Sequence, residues 1–224
     1  MKKVWIFGDS YSDPRHYTSN NFSWTQEIEK NFKVNNFSYY GSGPEWSYEL
    51  FTKKVKENNT NDISLIFFIS DPFRFNFSFY KNVESQALFK FITFKNKRNM
   101  NVRLKLRTYE SYSKFCKQFF KNYAMQENFL ENQIIKTIGG IKIYENIFEK
   151  ILIWPIFFNV DSDFSSIKTT VIKKSLSSLE KNYDYGEDYR ANHLSFENHQ
   201  TMISQLSNWV NFNTPIDISK FKKN

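Results

Sequence analysis

The residues whose types and spacing most clearly suggest chemistry are Gly8, Asp9 and Ser10, which directly follow an apolar run at residues 4–7. Such a run fits a buried strand of an open α/β sheet, and these sheets bind ligands outside the carboxyl ends of their strands. A serine hydroxyl on a tight turn there could act as a nucleophile, given a base and an oxyanion site beside it. Gly8 permits the sharp turn, and Asp9 favours the start of a helix whose amides face a developing negative charge. By itself the pattern fits an ordinary capped turn equally well.

A histidine near the end of the chain is the candidate base for this serine. His193 comes shortly before Ser195, and Ser195 suits the N-cap of a last helix predicted over residues 196–211. A histidine in that loop is expected near the carboxyl ends of the strands. His199 lies inside the predicted helix, where we expect it to be a solvated residue and not a second base.

The elements that must position these residues alternate between strands and helices. Apolar spacing over the first 72 residues predicts strands at 4–7, 33–37 and 63–69, and helices at 24–32 and 45–57. This order predicts a parallel sheet with helices on both faces.

The apolar pattern of the rest of the chain is less regular. Its spacing predicts a helix over 111–138, which Gly139 and Gly140 stop, and a strand within 150–158 with Pro155 at its end. Residues 73–110 are expected to be irregular.

Three features in this order resemble the SGNH (GDSL-type) hydrolases over nearly the whole chain: Gly8-Asp9-Ser10, the loop around Gly41, and His193 followed by Leu-Ser. The resemblance implies an α/β fold, a three-layer α/β/α sandwich with a roughly five-stranded parallel sheet in flavodoxin-like order. It implies Ser10 as the nucleophile and His193 as the general base. The amides of Ser10 and Gly41 would form the oxyanion hole, each donor contributing about 3 kcal/mol. It implies no cofactor and no metal.

Two positions depart from the pattern of the family. After the third predicted strand the family has a motif with an Asn that completes the oxyanion hole. Ser70 stands in this segment here and could donate a hydrogen bond in its place. Arg74 could supply positive charge on the substrate side, where Asp9 is also expected. Arg190 occupies the position of the family's Asp, three residues before the histidine, and cannot accept a hydrogen bond from imidazole. Asp188 is the preferred substitute among the nearby acids, and a Ser-His dyad oriented by a backbone carbonyl is an equal alternative.

Charge and composition limit the partners. The formal net charge of +8 permits attraction to an anionic partner without requiring one. The basic, Phe-rich stretch 89–107 is interpreted as a surface insertion, because no nucleic-acid-binding signature accompanies it. No apolar run is long enough for a spanning helix. Because the Gly-Asp-Ser turn begins at residue 8, no signal peptide is expected upstream, and we expect a cytoplasmic protein, or a virion-associated one if the chain is of phage origin.

The sequence therefore predicts one domain over residues 1–212, with 73–110 as a basic insertion or rim and 213–224 as a polar, basic, loosely held tail. The predicted function is hydrolysis of a small-molecule or glycan ester, such as a carbohydrate O-acetyl group. The alternative is a binding or structural protein on the same fold whose catalysis is weakened or lost, for example a phage- or glycan-associated one. Nucleic-acid binding through residues 89–107 is the third and least favoured hypothesis.

Overall fold

The computed structural model describes residues 1–14, 23–72, 89–95, 101–107, 129–179 and 194–222, with the backbone alone for 89–95 and 101–107. In chain order its main elements are β1 (Lys3–Phe7), α1 (Trp24–Ile28), β2 (Lys33–Asn36), α2 (Pro44–Glu57), β3 (Ile63–Ile69), β4 (Phe89–Lys95), β5 (Asn101–Arg107), α3 (Phe129–Lys142), β6 (Lys150–Pro155), β7 (Thr169–Val171) and α4 (Phe196–Phe212). Short 3-10 helices lie at Glu145–Ile147, Leu176–Leu179 and Ile218–Lys220.

Five parallel strands form the central sheet of the described residues, in the order β2-β1-β3-β6-β7. This confirms the predicted α/β fold and its flavodoxin-like strand order. All seven residues of β3 are buried, because helices cover both faces of the sheet. From β1 the chain passes to β2 on one side and later to β3 on the other. The carboxyl end of β1 is therefore the topological switch point, where such sheets form a crevice.

The side chains of β1 alternate between two cores. Val4 and Ile6 pack into one apolar cluster with residues of α1 and α4, whereas Trp5 and Phe7 pack into a second cluster with residues of α2 and α3. The molecule is accordingly a three-layer α/β/α sandwich. The residue after β1 sits between the two helical layers.

The prediction that Gly139 and Gly140 stop a helix is wrong, because α3 continues through both glycines to Lys142. A Cβ atom on Gly140 would lie 2.7 Å from the ring of Tyr48 in α2. The glycine therefore permits close approach of α2 and α3 and does not cap a helix end. Residues 111–128 of the predicted helix lie outside the described residues.

The prediction that 73–110 is irregular is also wrong for the part that the structure describes. Strands β4 and β5 pair antiparallel, with Phe89 opposite Arg107 and Lys95 opposite Asn101. Alternation of Val102 and Leu104 with basic residues is the period-two signal of such a strand.

The C-terminal segment is packed against α4, contrary to the expectation of a loosely held tail. Phe221 is buried and meets Trp154 edge-on at 5.7 Å between ring centroids. The side chain of Asn198 binds both the N–H and the carbonyl of Lys222, at 2.8 and 3.2 Å. Within the described residues, no helix is both long enough and apolar enough to cross a membrane.

Candidate functional site

Ser10 lies on a single tight turn at the carboxyl end of β1. The carbonyl of Asp9 accepts hydrogen bonds from the N–H groups of Ser12, at 3.1 Å, and Asp13, at 2.9 Å. Ser10 is the first residue inside this turn and is half-buried. The expected turn at Asp9 is therefore present as far as Asp13, and residues 15–22 lie outside the described residues.

Gly8 is required by the packing of this turn against β3. A Cβ atom at position 8 would meet the hydroxyl of Ser12 and would lie 3.0 Å from Cβ of Phe68. A larger residue would have to push the turn away from the sheet, and Ser10 would move with it.

The carboxylate of Asp9 is fully buried and binds groups of the protein itself. Its Oδ1 accepts a hydrogen bond from the N–H of Tyr11 at 3.1 Å, and its Oδ2 accepts one from the hydroxyl of Ser70 at 2.8 Å. Ser70 follows β3, so this bond spans the switch point. In this arrangement the hydroxyl proton of Ser70 points to Asp9. The role of Ser70 as an oxyanion donor and the substrate-side role of Asp9 both stay predictions.

Residues 39–42 form a type II β-turn after β2. The N–H of Ser42 donates to the carbonyl of Tyr39 at 3.1 Å, and Gly41 adopts a φ of 70° while Tyr40 does not enter the positive-φ region. Glycine is favoured at this position because the turn requires a positive φ there. Within the described part of the chain, the N–H of Gly41 donates no hydrogen bond. It is therefore available for a ligand oxygen.

Hydrogen bonds join the turn after β1 directly to the segment after β2, and we call this set the two-turn clamp. The carbonyl of Gly8 accepts from the N–H of Tyr39, at 3.1 Å, and from the hydroxyl of Ser42, at 3.0 Å. The remaining bonds of the clamp are Tyr40 N to Asp13 Oδ2 (3.0 Å), Asn36 Nδ2 to the Ser12 carbonyl (2.7 Å) and the Ser12 hydroxyl to the Ser38 hydroxyl (2.8 Å). The clamp fixes the Gly41 turn relative to Ser10.

Trp24 connects the same turn to the last helix. Its indole N–H donates to the carbonyl of Tyr11 at 2.9 Å, and its backbone N–H donates to Nδ1 of His199 at 3.4 Å. His199 is buried, so the expectation that it is a solvated helix residue is wrong. The predicted N-cap is confirmed, because the Ser195 hydroxyl accepts a hydrogen bond from the N–H of Asn198 at 3.3 Å. Trp24 thus ties the first turn of α4 to the residue after Ser10.

Aromatic side chains line the outer side of the Gly41 turn. Tyr39 and Tyr40 stack at 4.7 Å between ring centroids, and Tyr39 lies 5.6 Å from Trp46 of α2. All three are half-buried. Next to this cluster, burial raises the pKa of Glu45 above its ordinary value of 4.5; Glu49 raises it further, while Lys136 lowers it.

No protein-family model and no curated protein sequence matches this chain. Among solved structures, a catalytic mutant of Axe2, an acetylxylan esterase from Geobacillus stearothermophilus, is similar over 94% of this chain and 94% of that chain, with a TM-score of 0.48 and 8% identity. Protein YXIM from Bacillus subtilis is similar over 74% of this chain and 35% of its own chain, with a TM-score of 0.35 and 10% identity. These similarities describe the path of the chain and assign no residue a role.

The structure brings together only part of the predicted site. Ser10, Gly41, Ser70 and Asp9 meet at the switch point, as described above. The other predicted members, His193, Asp188 and Arg74, lie outside the described residues, and their roles stay predictions. No group of three or more His, Cys, Asp and Glu side chains placed to hold a metal ion occurs in the described ranges.

The sequence did not point to the polar side chains that build the clamp. Asp13 and Ser12 lie close to Ser10 along the chain, Asn36 precedes the Gly41 turn, and Ser42 is its last residue. A cluster of short polar residues directly after two adjacent strands is the signal that would have suggested them.

Proposed function

We propose that this protein is a serine hydrolase of the SGNH (GDSL) type that cleaves an ester through attack by Ser10. The observation that carries the proposal is the two-turn clamp at the switch point. It holds Ser10 on one turn and the unbonded N–H of Gly41 on the next, beside the same strand end. Neighbouring strands thereby supply a nucleophile and a hydrogen-bond donor, which acyl transfer requires.

In the proposed mechanism, Ser10 Oγ attacks the acyl carbon while His193 accepts its proton. The carbonyl oxygen becomes an oxyanion that accepts hydrogen bonds from the amides of Ser10 and Gly41. Collapse of this intermediate breaks the bond to the alcohol, which leaves with the proton from His193. A water molecule, deprotonated by His193, then attacks the acyl-enzyme; the bond between the acyl carbon and Ser10 Oγ breaks, the acid leaves, and Oγ takes the proton back from His193. Asp188 or a backbone carbonyl would orient His193.

The rigidity of the clamp supports this mechanism energetically. An oxyanion donor fixed before the reaction costs no reorganisation in the transition state and contributes about 3 kcal/mol. Backbone N–H groups can be fixed in this way only if their turns are anchored. Three of the four residues of the Gly41 turn are anchored in this way. Tyr39 and Ser42 donate to the Gly8 carbonyl, and Tyr40 donates to Asp13.

The proposed substrate is a small-molecule or glycan ester, of which a carbohydrate O-acetyl group is one example. Half-buried aromatic rings beside the Gly41 turn support this class, because apolar and aromatic surface with a few polar groups is typical of small-molecule sites. The proposal involves neither nucleic acid nor a membrane.

The proposal is tested by hydrolysis of p-nitrophenyl acetate by the full chain and by its Ser10→Ala and His193→Ala variants. We expect each variant to lower kcat by about 1,000-fold or more, because the nucleophile and its base act as a unit. Ser219→Ala, an exposed serine of the C-terminal segment, is the matched control and should retain wild-type kcat. Wild-type activity in Ser10→Ala would exclude Ser10 as the nucleophile. A wild-type protein without activity would favour the binding or structural alternative.

A further inference from the structure

Strands β4 and β5 form a hairpin whose two faces differ in chemistry. Directly opposite residues of an antiparallel pair lie on one face, and successive residues of a strand alternate between faces. The register therefore assigns each residue of the two strands to a face. One face, which we call the basic face, has two uncharged polar residues, two phenylalanines and four cations: Phe89, Phe91, Lys95, Arg103, Lys105 and Arg107. The other, which we call the apolar face, has five apolar residues and Lys90.

Cations and aromatic residues are paired across the basic face. Arg107 lies opposite Phe89, and Lys105 lies opposite Phe91. Arg103, Lys105 and Arg107 occupy every second position of β5, so they follow one another at about 7 Å along the strand. Neither strand of the hairpin contains an acidic residue. The row of positive charge therefore has no anionic counterpart within the hairpin.

The phenylalanines of the basic face are the feature that points to a ligand. An antiparallel pair needs only one apolar face for packing, and its other face is commonly polar. The apolar face already provides such a surface, so packing does not explain why Phe89 and Phe91 stand among the cations. Positive charge combined with aromatic residues is typical of surfaces that bind a polyanionic chain, because the charge attracts the chain and the rings stack on its units.

We infer that the basic face binds a polysaccharide that carries carboxylates, and that the ester cleaved at Ser10 belongs to this polysaccharide; the second part rests on the proposed hydrolase function. Guanidinium and ammonium groups bind carboxylates, and aromatic rings stack on the C–H faces of sugar rings. The sugar hydroxyls can carry acyl groups, which a serine hydrolase removes. A nucleic acid would suit the charges and the rings as well, but its phosphodiester backbone offers Ser10 no carboxylic ester.

Chain topology connects the hairpin with the edge of the sheet where Ser10 lies. Strand β3 ends at Ile69, and the next residue, Ser70, donates a hydrogen bond to Asp9 beside Ser10. The hairpin lies in the connection between β3 and α3, so this connection leaves the sheet at the same edge. Because a polysaccharide is long, it can bind to the hairpin and still present an ester at this edge.

Binding of the full chain to polygalacturonate, measured by isothermal titration calorimetry, tests the inference. Dextran is the control polysaccharide without carboxylates, and a single-stranded oligothymidylate represents nucleic acid. We expect polygalacturonate to bind and dextran not to bind. The Kd for polygalacturonate should rise between about 50 mM and about 200 mM salt, because salt screens the attraction between exposed charges.

Two pairs of variants compare the faces of the hairpin. Lys105→Gln and Lys90→Gln each remove one lysine charge, from the basic face and the apolar face respectively. We expect the Kd for polygalacturonate to rise about two- to fivefold in Lys105→Gln, as for the loss of an exposed ion pair, and less than about 1.5-fold in Lys90→Gln. Phe91→Leu and Phe94→Leu both keep an apolar side chain, and only Phe91→Leu should weaken binding.

A triple variant, Arg103→Gln with Lys105→Gln and Arg107→Gln, connects binding with the reaction. Its kcat/KM for acetylated polygalacturonate, divided by its kcat/KM for p-nitrophenyl acetate, should be about 10-fold lower than the wild-type ratio, because only the polymer has carboxylates to bind. An unchanged ratio would show that the basic face does not select the substrate. Should the triple variant fail to fold, the same ratio measured in Lys105→Gln and Lys90→Gln decides the question.

The outcomes separate this inference from the proposed function. The inference is wrong if polygalacturonate does not bind, if dextran binds as tightly, or if Lys90→Gln weakens binding as much as Lys105→Gln. Tighter binding of oligothymidylate than of polygalacturonate at equal charge would assign the basic face to nucleic acid and would also overturn it. In each case the proposed function stands if hydrolysis of p-nitrophenyl acetate depends on Ser10. Binding through the basic face without any Ser10-dependent hydrolysis would instead leave the polysaccharide site in place and show that the proposed function is wrong.

Discussion

The hydroxyl of Ser70 donates a hydrogen bond to Oδ2 of Asp9 at 2.8 Å, which joins the residue after β3 to the residue before Ser10. Both residues are buried, so water does not replace either partner. The bond links the end of β3 to the turn after β1, as the two-turn clamp links that turn to the segment after β2. The turn of Ser10 is therefore held from both neighbouring strands.

Ser70→Ala is expected to lower the free energy of unfolding by about 1 to 3 kcal/mol, because it leaves one oxygen of a buried carboxylate without this donor. Urea denaturation measures the change. Ser64→Ala, within β3, is the matched control: Ser64 is as buried as Ser70 but donates to the exposed Glu149 at 3.1 Å, so water can replace it. A cost for Ser70→Ala no larger than that for Ser64→Ala would contradict the account.

Gly8→Ala should destabilise the protein by about 1 to 3 kcal/mol, because the added Cβ meets the Ser12 hydroxyl and Cβ of Phe68. Activity should fall as well, since the turn of Ser10 must shift. Gly139→Ala is the contrasting variant: nothing lies within 4 Å of its added Cβ, and an exposed helix position gains about 0.5 to 1 kcal/mol from alanine. Equal stabilities of the two variants would show that position 8 is not sterically restricted.

The free energy of unfolding should depend on pH because of the contact between Glu145 and the start of β7. Its Oε2 accepts hydrogen bonds from the hydroxyls of Ser166, at 2.6 Å, and Thr169, at 3.0 Å. These bonds, the bond from Ser166 first, lower the pKa of Glu145 below its ordinary value of 4.5. Because the folded-state pKa is the lower one, this stabilisation is present above pH 4.5 and is lost as the pH falls through the folded-state value.

Glu145→Gln is therefore expected to be less stable than wild type at pH 7, by no more than about 1 kcal/mol because the site is partly solvated. The difference should shrink as the pH falls below 4.5. Urea denaturation at pH 7 and at pH 3 measures it, and Ser166→Ala should reproduce part of the effect. A difference that is the same at both pH values would assign the effect to packing and not to charge.

Much of the fold could be predicted because its signals are local. The six apolar residues of β3 and the N-cap Ser195 of α4 are visible in short windows of sequence. Strand β7 could not be predicted in this way, since it has three residues and is held by pairing with β6, where Val171 lies opposite Ile153. The run of α3 through Gly140 depends on Tyr48, which is far away along the chain.

The same distinction applies to the site. Ser10 could be proposed from residue types next to a predicted strand end, and Gly41 from the resemblance of its loop to that of the SGNH hydrolases. The clamp could not, because its bonds join residues 24, 27 and 34 positions apart, in the pairs Ser12–Asn36, Asp13–Tyr40 and Gly8–Ser42. Which polar residues meet across such distances is decided by strand order and register, with β1 paired to β2 from Lys3 and Lys33 onward.

Covalent labelling of the full chain with a fluorophosphonate, followed by peptide mass spectrometry, shows whether Ser10 is an activated nucleophile. Because the reagent reacts with an activated serine, we expect one adduct on Ser10, no adduct in Ser10→Ala, and unchanged labelling in the control Ser219→Ala. Labelling that persists in Ser10→Ala, or a wild-type protein that does not react, would contradict the claim that Ser10 is an activated nucleophile.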